Sequence, residues 1–339
     1  MTPTTLTCSA AIVAALSAVP TLAAAETFAP KVLVMAMFEA EAAPWLKNLD
    51  LPNTITIPGL PTDHDALSCN ADLCVMTTTM GYANAASSAM AVGFSDQLDL
   101  SQTYVLIAGI AGVDPENGTL GSAAWADHVV DAGLVHRIDS RDAPSDWTSQ
   151  IVELGAKVPG EKPGWTAGSE VFTLNPALVS AAMDATRDVE LADSDDAAAY
   201  RANYTQNAAK GAPQVMVCAS VSADTYWHGD TIAQEVADHT ALLTNGAADY
   251  CMSQMEDNAT LTALERAAEA GRLDMDRVAI LRTASNFDRA YDGQDTAASL
   301  SATSGGFGPA TENAFRVGNA FAALVIKDWD RFEKGVTVD

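Results

Sequence analysis

A cluster of polar residues follows an apolar segment near the carboxyl end of the chain. The segment VAIL occupies positions 278–281, and Arg282, Asn286 and Asp288 come soon after it. An Asp side chain can transfer a proton, whereas the amide of an Asn can only donate and accept hydrogen bonds. The pattern is compatible with a solvated loop, but it also predicts a ligand site at the end of a buried strand.

Similar polar segments follow other apolar runs. Acids that could orient a hydroxyl group or a water molecule stand in FEAEA, which contains Glu41, and in QMED, which contains Met255 and Glu256. Tyr226 and Trp227 in SADTYWHG could stack on a planar ligand. Each feature also has a structural explanation, because acids stabilise helix N-termini and aromatic pairs pack in cores.

The elements that must position these residues alternate along the chain. Strand-like apolar runs occur at 31–37, 73–80, 103–112, 125–139, 214–224, 248–255 and 277–285. Helical patterns lie between them, including 39–48, 230–246, 309–329 and one that begins with Asn175 as N-cap and Pro176 at N1. This alternation predicts one α/β domain over residues 26–339, with a largely buried, mostly parallel sheet. The polar segment 140–170 is interpreted as a lid or excursion.

Ligands of such sheets collect beyond the carboxyl ends of the strands. The polar segments named above all stand at predicted strand ends. We therefore expect them to form one site.

The first 25 residues have the composition of a secretory signal. They are small and apolar, carry no charge and end in AAA at positions 23–25, an A-x-A type cleavage site. They predict a cleaved signal peptide and a periplasmic or secreted protein. The cysteines that remain are Cys69, Cys74, Cys218 and Cys251, and disulfides are possible in that setting. Cys69 and Cys74 are the favoured pair, whereas the other two could be buried thiols.

Charge and composition limit the possible partners. The chain has 18 basic and 44 acidic residues and a formal net charge of −26, which opposes binding to nucleic acid. Its five histidines form no ligand pair, so no metal site is expected. No later segment approaches membrane-spanning length, so a role in transport would require a separate membrane protein.

Taken in order, these segments resemble the nucleoside phosphorylase/nucleosidase superfamily, and most closely its purine nucleoside permease branch. AGIAGVDPENGTLGSAAWADHVV looks like the glycine-rich loop of the family, with Gly109 and Gly112 close to the ligand. The resemblance spans nearly the whole chain after residue 25. It implies a central mixed, largely parallel sheet flanked by helices, with purine nucleosides as ligands.

The resemblance also implies a role for each candidate residue. Tyr226 and Trp227 match the aromatic segment over the base, and Met255 and Glu256 match the element that holds the ribose. Asn286 matches the residue that faces N7 of the purine, and Asp288 is a nearby acid that could replace it. Glu41 matches the acid that holds the attacking water. Thr78 and Gly81 could contact an anion.

Three functions remain open on this resemblance. The chain has no Arg just before its glycine-rich loop and lacks the GDPxR phosphate element of the family. Hydrolysis of the N-glycosidic bond is therefore favoured over phosphorolysis, in which phosphate would be the co-substrate. No other cofactor is implied. The alternative is a non-catalytic protein that binds nucleosides for a transporter. A homo-oligomer is compatible with each of these functions.

Overall fold

A mixed β-sheet that curls on itself organises the computed structural model, which describes residues 27–337. The predicted signal peptide, residues 1–25, lies outside the described residues. The strands are β1 Val32–Ala36, β2 Asn53–Thr56, β3 Ala66–Cys69, β4 Leu73–Thr77, β5 Tyr104–Val113, β6 Ala123–Asp131, β7 Val135–Arg137, β8 Ile151–Glu153, β9 Val171–Thr173, β10 Val215–Ser222, β11 Tyr250–Gln254 and β12 Val278–Phe287.

Most of the helices lie between these strands along the chain, and the last three follow β12. They are α1 Glu39–Asn48, α2 Tyr82–Gly93, α3 Pro176–Thr186, α4 Asp195–Arg201, α5 Asn207–Lys210, α6 Asp230–Leu243, α7 Asp257–Glu269, α8 Thr296–Leu300, α9 Phe307–Lys327 and α10 Trp329–Phe332. None of the helices in residues 27–337 is both long and apolar enough to cross a membrane.

The strand order of the large sheet is β11-β10-β6-β12-β5-β1-β4-β3-β2, and β9 pairs with β6. Parallel pairs join β5 to β1 and β12, and β10 to β6 and β11. Strand β11 also pairs antiparallel with β5, so that β5, β12, β6, β10 and β11 form a closed ring. The predicted α/β fold with a mixed sheet flanked by helices is thus confirmed.

The core forms where the helices cover the sheet. Strand β1 is buried along its whole length, and α9 packs across β5 and β12. Gly318 of α9 lets Trp45 of α1 approach closely, because a Cβ at Gly318 would lie 2.9 Å from the indole ring. Trp45 is fully buried and meets Phe315 edge-on, with ring centroids 5.3 Å apart. Such aromatic packing fixes α1, which begins with the acidic segment, against α9.

Two local features go beyond what the sequence predicted. The strand-like run 125–139 is interrupted near Gly133, as its pattern indicates, because the Asp131 carboxylate accepts the N–H groups of Gly133 (2.6 Å) and Leu134 (3.0 Å) and ends β6 in a turn. Strand β7 then pairs with β8, which lies inside the segment 140–170. The hairpin of β2 and β3 was not predicted, because β2 reads NTIT and is mostly exposed.

Disulfides tie neighbouring strands together in two places. Cys69 and Cys74, the pair that the sequence favours, join β3 to β4. Cys218 and Cys251, which the sequence left as possible free thiols, are also joined and connect β10 to β11 within the ring. Both bridges therefore reinforce pairings that the sheet already makes.

We predict that Asn175→Ala destabilises the protein by about 1 kcal/mol, the usual cost of losing an N-cap side chain. The Asn175 side chain accepts the N–H of Ala177 at the start of α3 and donates to the carbonyl oxygens of Asp276 and Val336. Urea unfolding of the purified variant measures the change. Asn53→Ala, at an exposed position of β2, is the control, and an equal effect of the two substitutions would contradict the prediction.

Candidate active site

A cavity of about 360 Å³ opens where β5, β11 and β12 of the ring end. Its lining combines polar residues from the strand ends with apolar residues from the helix starts. The lining residues are Met37, Phe38, Glu41, Met80, Ile110, Ala111, Gly112, Tyr226, Ser253, Gln254, Met255, Glu256, Arg282, Ser285, Asn286 and Phe307. Six residues from the sequence prediction, namely Glu41, Gly112, Tyr226, Met255, Glu256 and Asn286, therefore meet in one cavity.

Glu41 is a buried acid in the first turn of α1. One carboxylate oxygen accepts the N–H of Met37 and the other accepts the N–H of Ile110, each at 2.7 Å. Burial raises the pKa of Glu41 to about 7, although the Arg282 guanidinium and the two backbone N–H groups oppose the shift. Each oxygen keeps a free lone pair. Glu41 can therefore accept a proton at neutral pH, as a general base must.

Arg282 lies in the middle of β12 and is almost completely buried. Its Nη2 is 3.2 Å from Glu256 and also donates to Asp257, and its Nε is 3.1 Å from Asp257. Burial alone would lower the pKa of Arg282, but Asp257 and Glu256 raise it above its ordinary value. The guanidinium thus stays charged, and its charge is balanced by protein carboxylates.

Glu256 stands between the starts of two helices. It is the N-cap residue of α7, and its carboxylate accepts the N–H of Gly81, the N-cap residue of α2, at 3.2 Å. Gln254 fixes this arrangement, because its Oε1 accepts the N–H groups of Glu256 (2.7 Å) and Asp257 (2.9 Å). Glu256 is consequently held rigidly with its carboxylate at the cavity.

Asn286 reaches the cavity through an irregularity of β12. The register with β5 shifts between Ala284 and Asn286, so that Ser285 is an extra residue in the strand. Bulges of this kind redirect side chains, and both Ser285 and Asn286 line the cavity. The Asn286 amide donates to the Tyr226 hydroxyl at 2.7 Å and accepts from the Ser285 hydroxyl at 2.9 Å. Tyr226 itself is half exposed at the cavity rim.

Two glycines of β5 make room for these side chains. A Cβ at Gly109 would lie 2.5 Å from a carboxylate oxygen of Glu41, and one at Gly112 would lie 2.5 Å from the Ser253 hydroxyl and 3.2 Å from the Asn286 amide. Gly109 therefore leaves room for the Glu41 carboxylate but does not line the cavity, whereas Gly112 does line it. Both glycines permit a close approach of side chains to the backbone.

Five predicted residues do not line the cavity: Gly81 and Gly109, which are described above, and Asp288, Trp227 and Thr78. Asp288 is buried and accepts hydrogen bonds from Tyr250 (2.7 Å) and from Arg289 (2.8 Å), while burial raises its pKa. Trp227 is buried in a separate apolar cluster, so only Tyr226 of the aromatic pair faces the cavity. Thr78 is buried, and its hydroxyl donates to the carbonyl oxygen of Thr79.

The sequence analysis grouped Arg282 with the polar residues that follow the apolar segment but gave it no role in the site. The strand in fact continues to Phe287, so Arg282 lies within it, and β12 lies between β5 and β6. A signal was present, because an Arg within an apolar strand must be paired when it is buried. The apolar lining residues Phe38 and Phe307 carried no such signal, since they precede or begin helices far apart in the sequence.

The lining can bind an uncharged polar ligand and activate water. Glu256 and Asn286 offer hydrogen bonds, Glu41 offers a base, and Tyr226, Phe307 and the methionines offer apolar surfaces. Arg282 is the one Arg or Lys among the described lining residues, and it is already paired with Asp257 and Glu256.

We predict that the stability of Glu41→Gln relative to wild type increases with pH. Below pH 4.5 wild-type Glu41 is protonated in both states, so the two proteins should differ only by a constant amount, the cost of the one backbone N–H that the single amide oxygen of Gln cannot accept. As the pH rises from 4.5 towards about 7, the unfolded state releases the proton first, and wild type loses about 3 kcal/mol of stability that the variant keeps.

Urea unfolding of both proteins between pH 4.5 and 8 measures this difference. The matched control is Glu39→Gln, which changes an exposed acid in the same helical turn and should show no such trend. A difference between Glu41→Gln and wild type that does not change with pH would contradict the prediction.

Solved structures of nucleosidases share this fold. A 5'-methylthioadenosine/S-adenosylhomocysteine nucleosidase from Neisseria meningitidis, in complex with methylthio-immucillin-A, superposes with a TM-score of 0.53 at 14% identity and covers 87% of this chain and 98% of its own. Futalosine hydrolase of Helicobacter pylori gives a TM-score of 0.52 at 12% identity, with coverage of 87% and 98%. At these identities the likeness shows the fold alone.

Sequence relatives show the family. A purine nucleoside permease of Candida albicans is 34% identical over 314 residues, which are 91% of this chain and 77% of that protein. A probable purine nucleoside permease of Schizosaccharomyces pombe is 36% identical over 318 residues, 89% of this chain and 90% of that protein. The purine nucleoside permease (NUP) family matches residues 29–337. The predicted family is confirmed, and the chain belongs to the purine nucleoside permease family.

Proposed function

We propose that this protein cleaves the N-glycosidic bond of purine nucleosides by hydrolysis. The observation that carries the proposal is Glu41, a buried acid with a pKa of about 7 that lines the same cavity as Glu256 and Asn286. Cleavage passes through an oxocarbenium-like sugar and needs a positioned nucleophile, a partner for the sugar and help for the leaving group. In this proposal Glu41 positions the nucleophile, Glu256 is the partner of the sugar, and Asn286 helps the leaving group.

Each residue has a specific part in this proposal. Glu41 removes a proton from a water molecule as the water attacks the anomeric carbon. Glu256 accepts hydrogen bonds from sugar hydroxyls, and its negative charge favours the developing positive charge of the sugar. The bond between the anomeric carbon and the purine nitrogen breaks, and its electron pair goes to the purine. The Asn286 amide hydrogen-bonds to the departing base, Tyr226 offers an aromatic face to it, and the released base takes up a proton from solvent water. Met255 packs against the sugar.

Hydrolysis is supported over phosphorolysis by the charge balance of the cavity. A phosphate ion needs cationic partners. Arg282, the cation that the described lining offers, already faces Asp257 and Glu256, and Glu41 lies near enough to interact with it as well. A phosphate ion placed here would meet carboxylates rather than an unpaired guanidinium.

A second function, binding of nucleosides without cleavage, is favoured by one observation. The acid that could protonate the departing base, Asp288, does not line the cavity and is paired with Arg289 and Tyr250. Asn286 has no ionisable proton to give. A binding protein would use Tyr226, Glu256 and Asn286 but would have no use for the raised pKa of Glu41.

We further propose that the protein works outside the cytoplasm, where released bases or bound nucleosides would pass to a separate membrane transporter. The two disulfides support this location, because such bonds persist in oxidising compartments. Cell fractionation with an antibody tests it, and detection of the protein only in the cytoplasm would overturn it.

We predict that the purified protein releases free base from inosine, guanosine or adenosine in the absence of phosphate. Glu41→Gln should lower kcat by about 10²- to 10⁴-fold, the usual contribution of a general base. The rate of wild type should rise with pH up to about 7 and then level off, since Glu41 must lose its proton.

Liquid chromatography of the reaction with and without phosphate measures these effects, and Glu39→Gln is the control. Base release only with phosphate would overturn hydrolysis. Nucleoside binding by calorimetry with no base release under either condition would establish the binding function instead.

We predict that Asn286→Ala lowers kcat/KM by about tenfold to a hundredfold, the cost of one or two hydrogen bonds at the transition state. Asp288→Asn should keep kcat/KM within about threefold, because Asp288 does not line the cavity. Steady-state kinetics of both variants, with melting temperatures as a check of folding, measure this. A larger loss for Asp288→Asn in a folded protein would make Asp288 the acid for the leaving base.

A further inference from the structure

The Asn286 side chain is held in one orientation by its hydrogen bonds. Its Nδ2 donates to the backbone carbonyl oxygen of Phe287 at 3.0 Å and to the Tyr226 hydroxyl oxygen at 2.7 Å. Its Oδ1 accepts the hydroxyl proton of Ser285 at 2.9 Å. A carbonyl oxygen can only accept, so the amide atom that faces Phe287 must be the nitrogen. The orientation of the amide therefore follows from the protein itself.

This orientation leaves Asn286 without a free donor. An amide NH₂ group has two protons, and Phe287 and Tyr226 accept both of them. The amide oxygen has two lone pairs, and Ser285 uses one of them. Asn286 can consequently offer a ligand a hydrogen-bond acceptor but not a donor.

The Tyr226 hydroxyl has the opposite capacity. Its oxygen accepts from Asn286, and none of the residues that the structure describes accepts its proton with hydrogen-bond geometry. Tyr226 is half exposed and lines the cavity. Burial of the rest of the side chain raises the pKa of Tyr226, so the phenol keeps its proton at neutral pH. Tyr226 therefore offers a free O–H donor at the cavity.

The donor of Tyr226 and the acceptor of Asn286 are neighbours. The Asn286 nitrogen that contacts the Tyr226 oxygen is bonded to the same carbon atom as Oδ1. One edge of a purine carries N7, which is an acceptor, next to the substituent at position 6. In adenine that substituent is an amino group that donates, whereas in 6-oxopurines it is an oxygen that accepts. The adenine edge is therefore complementary to this pair, and the 6-oxopurine edge is not.

We propose that the Tyr226–Asn286 pair makes 6-aminopurine nucleosides the preferred ligands of the candidate active site. The Tyr226 hydroxyl donates to N7, and Oδ1 of Asn286 accepts a hydrogen bond from the 6-amino group. A 6-oxopurine would place its oxygen against Oδ1, where neither atom can donate. This inference rests on the proposed function, which puts the base next to Asn286.

The contact also assists the departure of the base. The purine takes up the electron pair of the broken glycosidic bond, so the hydrogen bond from Tyr226 to N7 becomes stronger in the transition state. In this contact Tyr226 reaches the edge of the base with its hydroxyl group, in place of its aromatic face. Its hydrogen bond with Asn286 holds the hydroxyl oxygen in place for this role.

Calorimetric titration of Glu41→Gln, in which cleavage should be slow, with adenosine and inosine tests the proposal. Adenosine should bind at least about tenfold more tightly than inosine, because inosine leaves Oδ1 of Asn286 facing a second acceptor. Asn286→Ala in the same background should reduce this preference to less than about threefold. Values of kcat/KM for wild type with the two nucleosides should show the same preference as binding.

7-Deazaadenosine, in which a C–H group replaces N7, tests the role of Tyr226. It should bind about tenfold more weakly than adenosine. Tyr226→Phe should weaken adenosine binding by a similar factor but change the affinity for 7-deazaadenosine by less than about threefold, since the lost hydroxyl contacts N7. Tyr291→Phe removes a hydroxyl outside the cavity and is the matched control, which should leave both affinities unchanged.

The results separate this proposal from that of hydrolysis. Equal affinities for adenosine and inosine, tighter binding of inosine, or binding of neither would overturn it. An equal loss of affinity for adenosine and 7-deazaadenosine in Tyr226→Phe would overturn the role of Tyr226. A preference for adenosine without base release by wild type would support the pair and overturn hydrolysis. Base release with equal kcat/KM for the two nucleosides would overturn the preference and leave hydrolysis in place.

Discussion

The buried charge of Arg282 is the constraint on which the site and much of the ring depend. Taking a guanidinium out of water costs several kcal/mol unless carboxylates surround it. Asp257 and Glu256 meet this need from the start of α7, and Gln254 holds both of their N–H groups. Strand β12, strand β11 and helix α7 are thereby joined at one point. Loss of any one of these charged side chains would leave the charges of the others uncompensated in the interior.

The same network determines what chemistry the cavity can support. Because Arg282 is balanced by protein carboxylates, none of the lining residues that the structure describes offers an unpaired cation for phosphate, and the proposal of hydrolysis is based on this balance. Glu41 lies near enough to interact with both Arg282 and Glu256, yet burial outweighs the Arg282 charge and leaves its pKa at about 7. Burial and charge together thus produce a base suited to neutral pH.

The site also depends on close contacts between its side chains and the backbone of β5. Strand β5 carries glycines where Glu41, Ser253 and Asn286 come nearest to it, and the extra residue in β12 lets Ser285 and Asn286 both face the cavity. The pairing of β11 with β5 closes the ring and brings Met255 and Glu256 to the same edge. A side chain at Gly109 or Gly112 would displace these groups.

The sequence by itself determined the α/β class, most of the large strands and six of the residues that line the cavity, because apolar periodicity and polar strand ends are local properties. Only the tertiary structure decided that Arg282 belongs to the cavity while Asp288 and Trp227 do not. Whether each of these side chains reaches the cavity depends on how it is buried and on which residues it pairs with. Both depend on the closure of the ring and on the bulge in β12. The pKa of Glu41 likewise follows from contacts with residues far away in the chain, which no local pattern encodes.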